Sequence, residues 1–379
     1  MGSEIKILSR DAMFAKLEKD FGKGSITTLS RSTEAAIVHW TSTGCYALDE
    51  ATNWGLAGGR IVEYFGAESS GKTTEAMAAL IENERRGGQG AVYDSEGTFD
   101  QDRYVEMGGN PETLIICESG TLEEFYDKLK VMLMYARGCV IPKNAVFLIV
   151  VDTLTMIQPK AMLEAEGDEQ PVAAASRVNA RHLPTIDKTL PANTCLLLLS
   201  QVRDKVGAAA WGAADSNIDT PGGRIVKHVC STRVFFNKMG QVDNGLDKEA
   251  KKIIGMKIQA KVVKSKIGPP LRKADFRIMF DKRGVDNLNG FLLTLVAQKL
   301  IPAPKLGVYS IKDVTFKADG FAEFVATHPK WTARALDQCY TLEHTSIRTE
   351  HLYTKPAPKL GNVINAKMKI VKPKVLEGK

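Results

Sequence analysis

The chain has 379 residues, of which 44% are apolar and 25% are charged. This composition excludes a globally disordered protein, and the length allows two or three domains with packed cores. The 51 basic residues exceed the 44 acidic ones by seven, a modest excess that fits a nucleic-acid partner or a mildly basic enzyme equally well.

Cysteine usage and hydropathy exclude two further classes. The six cysteines form no C-x-x-C pair, so we expect a reducing cytoplasm rather than a disulfide or zinc framework. The N-terminus lacks the apolar segment of a signal peptide, and no apolar run approaches the length of a membrane span. We therefore expect a cytoplasmic protein with no membrane partner.

Residues 1–45 are predicted to form an N-terminal helix and a linker. Met13, Phe14, Leu17 and Phe21 recur on one face of a helix over about residues 10–24. Residues 25–45 are rich in Ser and Thr and are predicted to contain one short strand. The apolar stripe of the helix must be buried either against its own domain or against a neighbouring subunit, and the pattern favours neither.

A phosphate-binding motif, G-x-x-x-x-G-K-T, spans residues 66–73 and is called the P-loop below. It follows a short apolar strand, IVEYF at 61–65, and it precedes a predicted helix, which is the context that this motif requires. The glycines let successive backbone N–H groups face phosphate oxygens. The Lys72 ammonium is expected to reach the β- and γ-phosphates, and the Thr73 hydroxyl to bind Mg²⁺.

From residue 46 to residue 285 the pattern predicts an α/β core with a mostly parallel central sheet. Apolar strands at about 90–94, 114–117, 146–152 and 194–200 are separated by predicted helices. The helix over 172–190 is expected to break or kink at Pro184. Strands at 233–237, 256–263 and 274–280 lack long helices between them, which predicts an antiparallel extension of the sheet.

Three polar residues at strand ends are predicted to complete a hydrolytic site. Asp152 ends the most apolar strand and is expected to hold Mg²⁺ beside the P-loop. Glu96 follows the strand that ends at Asp94, and it is either a general base or a surface loop residue. Gln201 ends the strand at 194–200 and is placed to sense the γ-phosphate. Parallel strands present their carboxyl ends at one edge, so these residues should meet there.

Two loops beside this edge are predicted to bind single-stranded nucleic acid. The first spans about 163–172. The second spans 202–223, and a loop of about twenty residues is unusual in a compact domain unless it is functional. It carries Arg203, Lys205 and Trp211, two cations with one aromatic ring, which suits single-stranded nucleic acid.

The C-terminal part is predicted to be a small domain and a tail. Residues 286–354 show mixed patterning, with helices expected near 292–299, 321–327 and 332–338. Residues 355–379 contain seven lysines and one acidic residue, lack the apolar content to fold alone, and are predicted to be flexible.

The sequence resembles the RecA family of DNA recombinases over about residues 10–285. The matching segments follow the family's order and spacing: FGKGSI at 21–26, GRIVE at 59–63, GAESSGKTT at 66–74, YDSE at 93–96, VVD at 150–152, QVRDKVG at 201–207 and KVVKSKI at 261–267. The resemblance implies a RecA-like P-loop ATPase core, an N-terminal helix arm that docks on the next protomer, and a small α/β C-terminal domain.

The resemblance also implies roles for single residues in ATP binding and hydrolysis. Glu96 corresponds to the catalytic glutamate, and it acts with Lys72 and with Gln201, which couples ATP to DNA. Asp100 and Tyr104 match an adenine-contacting pair, with one residue inserted between them. Lys264 and Lys266, which otherwise look like surface charges, match lysines that reach the ATP of the adjacent subunit. The remaining implied ATP contacts are Gly66, Ala67, Glu68, Ser69, Ser70, Gly71, Lys72, Thr73 and Thr74, and the implied Mg²⁺ ligands are Thr73 and Asp152.

DNA contacts are implied at a further set of positions: Arg177, Arg203, Lys205, Trp211, Gly222, Gly223 and Lys227. Several features depart from the family pattern. The segment 223–233 keeps little of the usual signature, His228 replaces an aromatic residue, Trp211 replaces a smaller one, and the tail is basic. These departures indicate a phage-borne or otherwise divergent recombinase, and they weaken the expectation of a role in the SOS response through a host repressor.

The predicted function is that of a DNA-dependent ATPase which forms a helical filament on single-stranded DNA. It would pair that strand with homologous double-stranded DNA and exchange strands in recombination and the repair of DNA damage. Two alternatives stay open at this point. One is a hexameric helicase-like motor, against which the N-terminal helix and the Lys264–Lys266 pair argue. The other is a regulatory filament ATPase without nucleic acid, against which the cationic loop argues.

Overall fold

The computed structural model describes residues 9–23, 25–26, 39–118, 120–165, 173–204, 218–219, 223–244, 251–297, 301, 308–311, 314–317, 320–328 and 331. The first elements are short and precede the P-loop strand. They are α1 (Arg10–Phe21), β1 (Trp40–Thr41), α2 (Tyr46–Ala51) and β2 (Leu56–Ala57).

Alternating strands and helices follow, as predicted. They are β3 (Arg60–Gly66), α3 (Lys72–Arg85), β4 (Gln89–Asp94), α4 (Gln101–Glu106), β5 (Ile115–Glu118), α5 (Leu122–Gly138), β6 (Phe147–Asp152), α6 (Lys160–Leu163), α7 (Ala174–Thr189) and β7 (Thr194–Gln201). A single 3₁₀ turn, Leu154–Met156, follows β6.

The second half adds strands with few helices. Its elements are β8 (Arg203–Asp204), β9 (Ile218–Asp219), α8 (Arg224–Val229), β10 (Thr232–Asp243), β11 (Ile253–Ser265), β12 (Lys273–Met279), α9 (Asn287–Ala297), β13 (Val308–Ile311), β14 (Val314–Lys317) and α10 (Phe321–Thr327).

The central sheet has eight strands in the order β12-β11-β10-β3-β7-β6-β4-β5. The six strands from β10 to β5 are mutually parallel, and β11 and β12 extend the sheet in antiparallel pairing. One apolar core lies on the side of α3, and a second lies on the side of α5, α7 and α8. The predicted α/β fold with a mostly parallel sheet and an antiparallel extension is confirmed.

Pro184 does not break its helix, because α7 runs through it to Thr189; the kink stays a prediction. Leu183 and Ile186, on either side of the proline, are buried in the second core. Burying two such side chains contributes about 1.5–3 kcal/mol each, which offsets the roughly 3 kcal/mol cost of an internal proline.

The N-terminal helix α1 leaves its apolar face uncovered by the described part of the chain. No residue of α1 is buried, and the Phe21 side chain is 74% exposed. The helix itself is well formed, since the Ser9 hydroxyl caps it by accepting the Ala12 N–H at 3.3 Å. Burial within its own domain, one of the two alternatives, is therefore not observed among these residues.

The C-terminal elements continue from the core through α9. The Asn287 amide oxygen accepts the N–H of Tyr46 at 2.7 Å, and Tyr46 packs edge-on against Phe291. The helix predicted at 292–299 therefore begins earlier, at Asn287, because this residue docks it on α2. The helix predicted at 321–327 is confirmed as α10. The one at 332–338 and the tail at 355–379 lie outside the described residues, and the domain boundaries stay predictions.

Candidate nucleotide-binding site

Four neighbouring strand ends form the site at one edge of the sheet. Gly66 of β3 is in register with Gln201 of β7, and Asp94 of β4 is in register with Asp152 of β6. Since β7 and β6 are themselves adjacent, the P-loop and the three predicted strand-end residues come together. This is the arrangement expected for parallel strands that bind a ligand at their carboxyl ends.

The P-loop folds around the Lys72 ammonium. Its Nζ donates to the carbonyl oxygens of Gly66 and Ala67 at 3.1 and 2.8 Å and lies 3.2 Å from the Ser70 hydroxyl oxygen. Burial lowers the pKa of Lys72, while Asp152, Glu68 and Glu96 oppose this shift. A buried ammonium at the N-terminal end of α3 is suited to an anionic ligand, because the helix dipole adds positive charge there.

Two glycines of the loop are required by close packing. A Cβ on Gly66 would lie 2.3 Å from the Phe236 carbonyl oxygen, which is rigid backbone of β10. Gly71 has a φ of +90°, and a Cβ there would lie 2.3 Å from the Ile278 Cδ1 atom of β12. The antiparallel extension thus supports the P-loop directly, and only glycine fits these positions without strain.

The Thr73 hydroxyl and the Asp152 carboxylate converge on one point. Thr73 Oγ1 donates to Asp152 Oδ2 at 2.8 Å. Burial raises the pKa of Asp152; the Thr73 hydrogen bond opposes this, and the nearby carboxylates Glu96 and Asp94 add to it. A partly buried carboxylate beside a hydroxyl supplies the hard oxygen ligands that Mg²⁺ prefers, with the remaining positions left to water and phosphate oxygens.

No cluster of three or more His, Cys, Asp and Glu side chains among the described residues could hold a metal by itself. Thr73 and Asp152 therefore fit a Mg²⁺ ion that is bound jointly by protein and nucleotide, rather than one held in an all-protein site.

Glu96 is held by two hydrogen bonds to the same oxygen. Its Oε1 accepts from the Thr153 hydroxyl at 3.0 Å and from Gln201 Nε2 at 3.4 Å. The turn that carries it is fixed by Asp94, whose carboxylate accepts the backbone N–H groups of Glu96, Thr98 and Phe99. The sequence left Glu96 as either a base or a surface residue; it is exposed, yet it is fixed at the strand ends.

Sequence reasoning missed Ser95 and Thr153, which join the ends of β4 and β6. Ser95 Oγ donates to the carbonyl oxygen of Thr153 at 2.8 Å and accepts the Thr153 N–H at 2.7 Å. The only signal in the sequence was the position of each residue, one step after a strand-end aspartate. Small hydroxyl residues are common at such positions for purely structural reasons, so the signal was too weak to use.

The two residues predicted to contact adenine lie on α4 but point in different directions. Asp100 is the exposed N-cap, and its Oδ1 accepts the Arg103 N–H at 2.8 Å. Tyr104 is 1% exposed, packs against Phe99, and its hydroxyl donates to Glu84 at 3.5 Å. The structure brings Asp100, but not the Tyr104 side chain, to the surface, and the adenine roles stay predictions.

The predicted interfacial lysines lie at the end of β11, away from this site. Lys264 Nζ donates to the carbonyl oxygens of Lys227 and His228 at 2.5 and 2.9 Å, at the C-terminal end of α8. Burial lowers the pKa of Lys264, and the neighbouring charge of Lys266 adds to this shift. Lys266 is exposed. Within one chain, neither lysine is placed among the P-loop contacts.

Some of the predicted DNA-contacting residues lie together on the α7–α8 side. Arg177 is exposed on α7, and Lys227 is half-buried on α8. Gly223 precedes α8 with a φ of +89°, and a Cβ there would lie 2.9 Å from the Ser176 hydroxyl of α7. Arg203 begins β8, which pairs with β9. Lys205, Trp211, Gly222 and residues 166–172 lie outside the described residues, and all of these DNA roles stay predictions.

None of the described helices is long and apolar enough to cross a membrane.

Comparison with known proteins identifies the family. The profile of the RecA N-terminal domain matches residues 8–286. Protein RecA of Chlamydia trachomatis serovar L2 is 33% identical over 305 residues, which is 80% of this chain and 82% of the relative. Protein RecA of Levilactobacillus brevis is 31% identical over 327 residues (85% and 81%), and that of Lactobacillus acidophilus is 29% identical over 354 residues (92% of each).

These similarities do not favour the helicase-like motor or the regulatory ATPase. The strand-end site, the sheet order and the matched segments agree with a single assignment. The chain belongs to the RecA family, whose members are DNA recombinases that couple a DNA-dependent ATPase to strand exchange.

Proposed function

We propose that this recombinase binds ATP with Mg²⁺ at the P-loop and hydrolyses it with Glu96 as the general base. The observation that carries the proposal is the convergence of two hydrogen-bonded pairs, Thr73 with Asp152 and Gln201 with Glu96, at adjacent strand ends. One pair supplies oxygen ligands for a cation, and the other supplies a base next to an amide.

The residues divide the chemistry between them. The P-loop N–H groups and Lys72 stabilise the negative charge of the phosphates and of the transition state. Mg²⁺, when bound by Thr73 and Asp152, supplies further charge neutralisation. Glu96 accepts a proton from the attacking water, whose oxygen bonds to the γ-phosphorus as the bond to ADP breaks. Gln201 exchanges its contact with Glu96 for the γ-phosphate, and this change is transmitted to the loop that begins at residue 202.

The same proposal extends to DNA and to neighbouring protomers. Arg177 and Lys227 contact the backbone of single-stranded DNA together with the loops at 163–172 and 202–223. They lie on α7 and α8, which approach each other closely at Gly223. The uncovered apolar face of α1 docks on the next protomer, and Lys264 and Lys266 reach the ATP bound there. The resulting assembly is a helical filament, which pairs its bound single strand with homologous double-stranded DNA. A bacterial or phage origin, a cytoplasmic location and a role in the SOS response stay predictions.

The test is steady-state ATP hydrolysis with and without long poly(dT), combined with electron microscopy of the same samples. Strong stimulation by poly(dT) together with helical filaments is expected, and both should be lost without Mg²⁺. DNA-independent turnover, or closed rings in place of filaments, would contradict the proposal.

The Glu96→Gln variant separates the base from the binding site. It should bind ATP and form filaments on poly(dT), while hydrolysis falls by about 100-fold or more, the usual contribution of general base catalysis. Hydrolysis at the wild-type rate would remove Glu96 from its role.

A further inference from the structure

Thr153 combines a buried hydroxyl with a direct contact to Glu96. The residue is 3% exposed, and its Oγ1 donates to Glu96 Oε1 at 3.0 Å. A buried hydroxyl needs a partner, and a carboxylate is a strong acceptor. Thr153 Oγ1 itself accepts a longer hydrogen bond from the Thr155 hydroxyl at 3.5 Å, and among the described residues neither the P-loop nor the proposed Mg²⁺ ligands contact it.

The backbone of Thr153 is unusually well fixed for a residue that follows a strand. The Ser95 hydroxyl binds both its N–H and its carbonyl oxygen, at 2.7 and 2.8 Å. The backbone of Ser95 is fixed in turn, because its N–H donates to the Asp152 carbonyl oxygen at 2.9 Å. The Thr153 hydroxyl is therefore anchored to β6 and to β4 at once, whereas Glu96 is an exposed side chain on a turn.

The second donor to Glu96 differs in kind. Gln201 Nε2 reaches the same oxygen at 3.4 Å, the longer of the two contacts, from the end of β7 where the loop at 202–223 begins. In the proposed function this amide leaves Glu96 when the γ-phosphate is present. Among the described residues, Thr153 is then the hydrogen-bond donor that remains on Oε1, and Oε2 is the oxygen left to accept the proton of the attacking water.

Nearby charges act on the Glu96 carboxylate in opposite directions. Asp152 repels it and Lys72 attracts it, since Glu96 adds to the raised pKa of the Asp152 carboxyl group and opposes the lowered pKa of Lys72. An exposed side chain under repulsion turns towards solvent unless a hydrogen bond holds it. A displacement of a catalytic group by about 1 Å is enough to lower the rate of the reaction strongly.

We propose that Thr153 is a positioning residue for ATP hydrolysis, which holds the Glu96 carboxylate in place for the attacking water after Gln201 has moved to the γ-phosphate. This inference rests on the role of Glu96 in the proposed function. It concerns kcat alone, because Thr153 contacts neither the P-loop nor its lysine.

The test is a series at position 153 in the full chain, assayed with saturating poly(dT). Thr153→Val removes the hydroxyl and keeps the shape, so kcat should fall by about 10- to 100-fold, the value of one hydrogen bond to a charged group. The KM for ATP, the affinity for a non-hydrolysable ATP analogue and filament formation should stay within about twofold of wild type. Thr153→Ser, which keeps the donor, should restore most of kcat, and Thr153→Cys, a weak donor, should lie between them.

A matched control and a double mutant separate positioning from a general structural effect. Thr189→Val removes an exposed hydroxyl at the end of α7, which donates to the Thr185 carbonyl oxygen, and it should leave kcat unchanged. In a Glu96→Gln background, Thr153→Val should cause no further loss, because its effect passes through Glu96.

The failures of the two proposals can be told apart. If Glu96→Gln keeps wild-type hydrolysis, the proposed base is wrong. If Glu96→Gln is inactive but the Ser and Val variants at 153 have equal kcat, the positioning role alone is overturned, and the same holds if the losses at 96 and 153 are additive. If the Val variant does not fold, the order of kcat between the Ser and Cys variants decides: equal values contradict the proposal.

Discussion

The strand-end site and the β11 lysines are both proposed to act on ATP, but only the first is assembled within one chain. Two hydrogen-bonded pairs meet there, Thr73 with Asp152 at 2.8 Å and Gln201 with Glu96 at 3.4 Å. Lys264 instead donates to two carbonyl oxygens of α8 in its own chain. Parallel strand ends place the first set together whatever the oligomeric state, whereas the role proposed for the second set requires a neighbouring protomer.

The role proposed for the N-terminal helix α1, like that of the β11 lysines, requires a neighbouring protomer. Its apolar face is uncovered by the described part of the chain, and Phe21 is 74% exposed. We therefore expect nucleotide binding to be a property of the protomer and rapid hydrolysis to be a property of the proposed filament. Variants on the two sides should therefore fail in different assays.

The largest effect is expected at the centre of the protomer's own site. Lys72→Ala removes the ammonium that lies inside the P-loop, and ATP binding should weaken by about 100-fold or more, with hydrolysis and filament formation lost as well. Equilibrium binding of a fluorescent ATP analogue measures this directly. Undiminished affinity would remove the P-loop from the site.

The Gln201→Ala variant tests the connection between the ATP site and the DNA-binding loop that begins at residue 202. ATP should still bind, because the P-loop and Lys72 supply most of the phosphate contacts, but stimulation of hydrolysis by poly(dT) should fall by about tenfold or more, the range of a typical coupling free energy. Hydrolysis measured with and without poly(dT) gives the ratio. DNA stimulation that survives the change would show that Gln201 is no sensor.

Lys264→Ala should affect only the assembled state. Hydrolysis on poly(dT) should fall by about tenfold, the contribution of one charge-assisted hydrogen bond. ATP binding by the protomer, measured by fluorescence at concentrations too low for filaments, should be unchanged. Lys257→Ala is the matched control, since Lys257 is an exposed lysine on the same strand. Equal effects of the two variants, or weaker binding by the protomer, would contradict a role between subunits.

The smallest effect is expected for Tyr104→Phe. The Tyr104 hydroxyl faces Glu84 inside the protein, so its removal should change the KM for ATP by no more than about twofold and stability by about 1 kcal/mol or less. Steady-state kinetics and thermal unfolding measure both. A tenfold rise in the KM for ATP would mean that Tyr104 reaches the nucleotide in another conformation of α4.

The sequence predicted the strand-end site because local patterns and one topological rule were sufficient. The P-loop motif identifies itself through its glycines and lysine, and apolar strands that end in polar residues converge wherever the sheet is parallel. Asp152 and Gln201 were therefore assigned from the residues themselves. The order of the eight strands then showed which of these strand ends are neighbours, which the pattern could not give.

Other features could not be read from the chain because they depend on contacts between distant segments. The pattern of α3 predicted a helix, yet only packing shows that Glu75 on it is fully buried, where burial and the nearby Asp49 raise its pKa. The sequence predicted a break or a kink at Pro184, and only the burial of Leu183 and Ile186 explains why α7 continues past it.

The sequence by itself determined the α/β class, the ATP-binding motif and the family, since each depends on residue types at fixed local spacing. Only the tertiary structure decided which way neighbouring side chains face. Tyr104 points into the core while Asp100, four residues earlier, is exposed, and Thr153 is aimed at Glu96 from a strand far away in the chain. Local propensity sets the backbone path, but the direction of a side chain depends on what packs around it, and that is fixed only when the whole sheet is assembled.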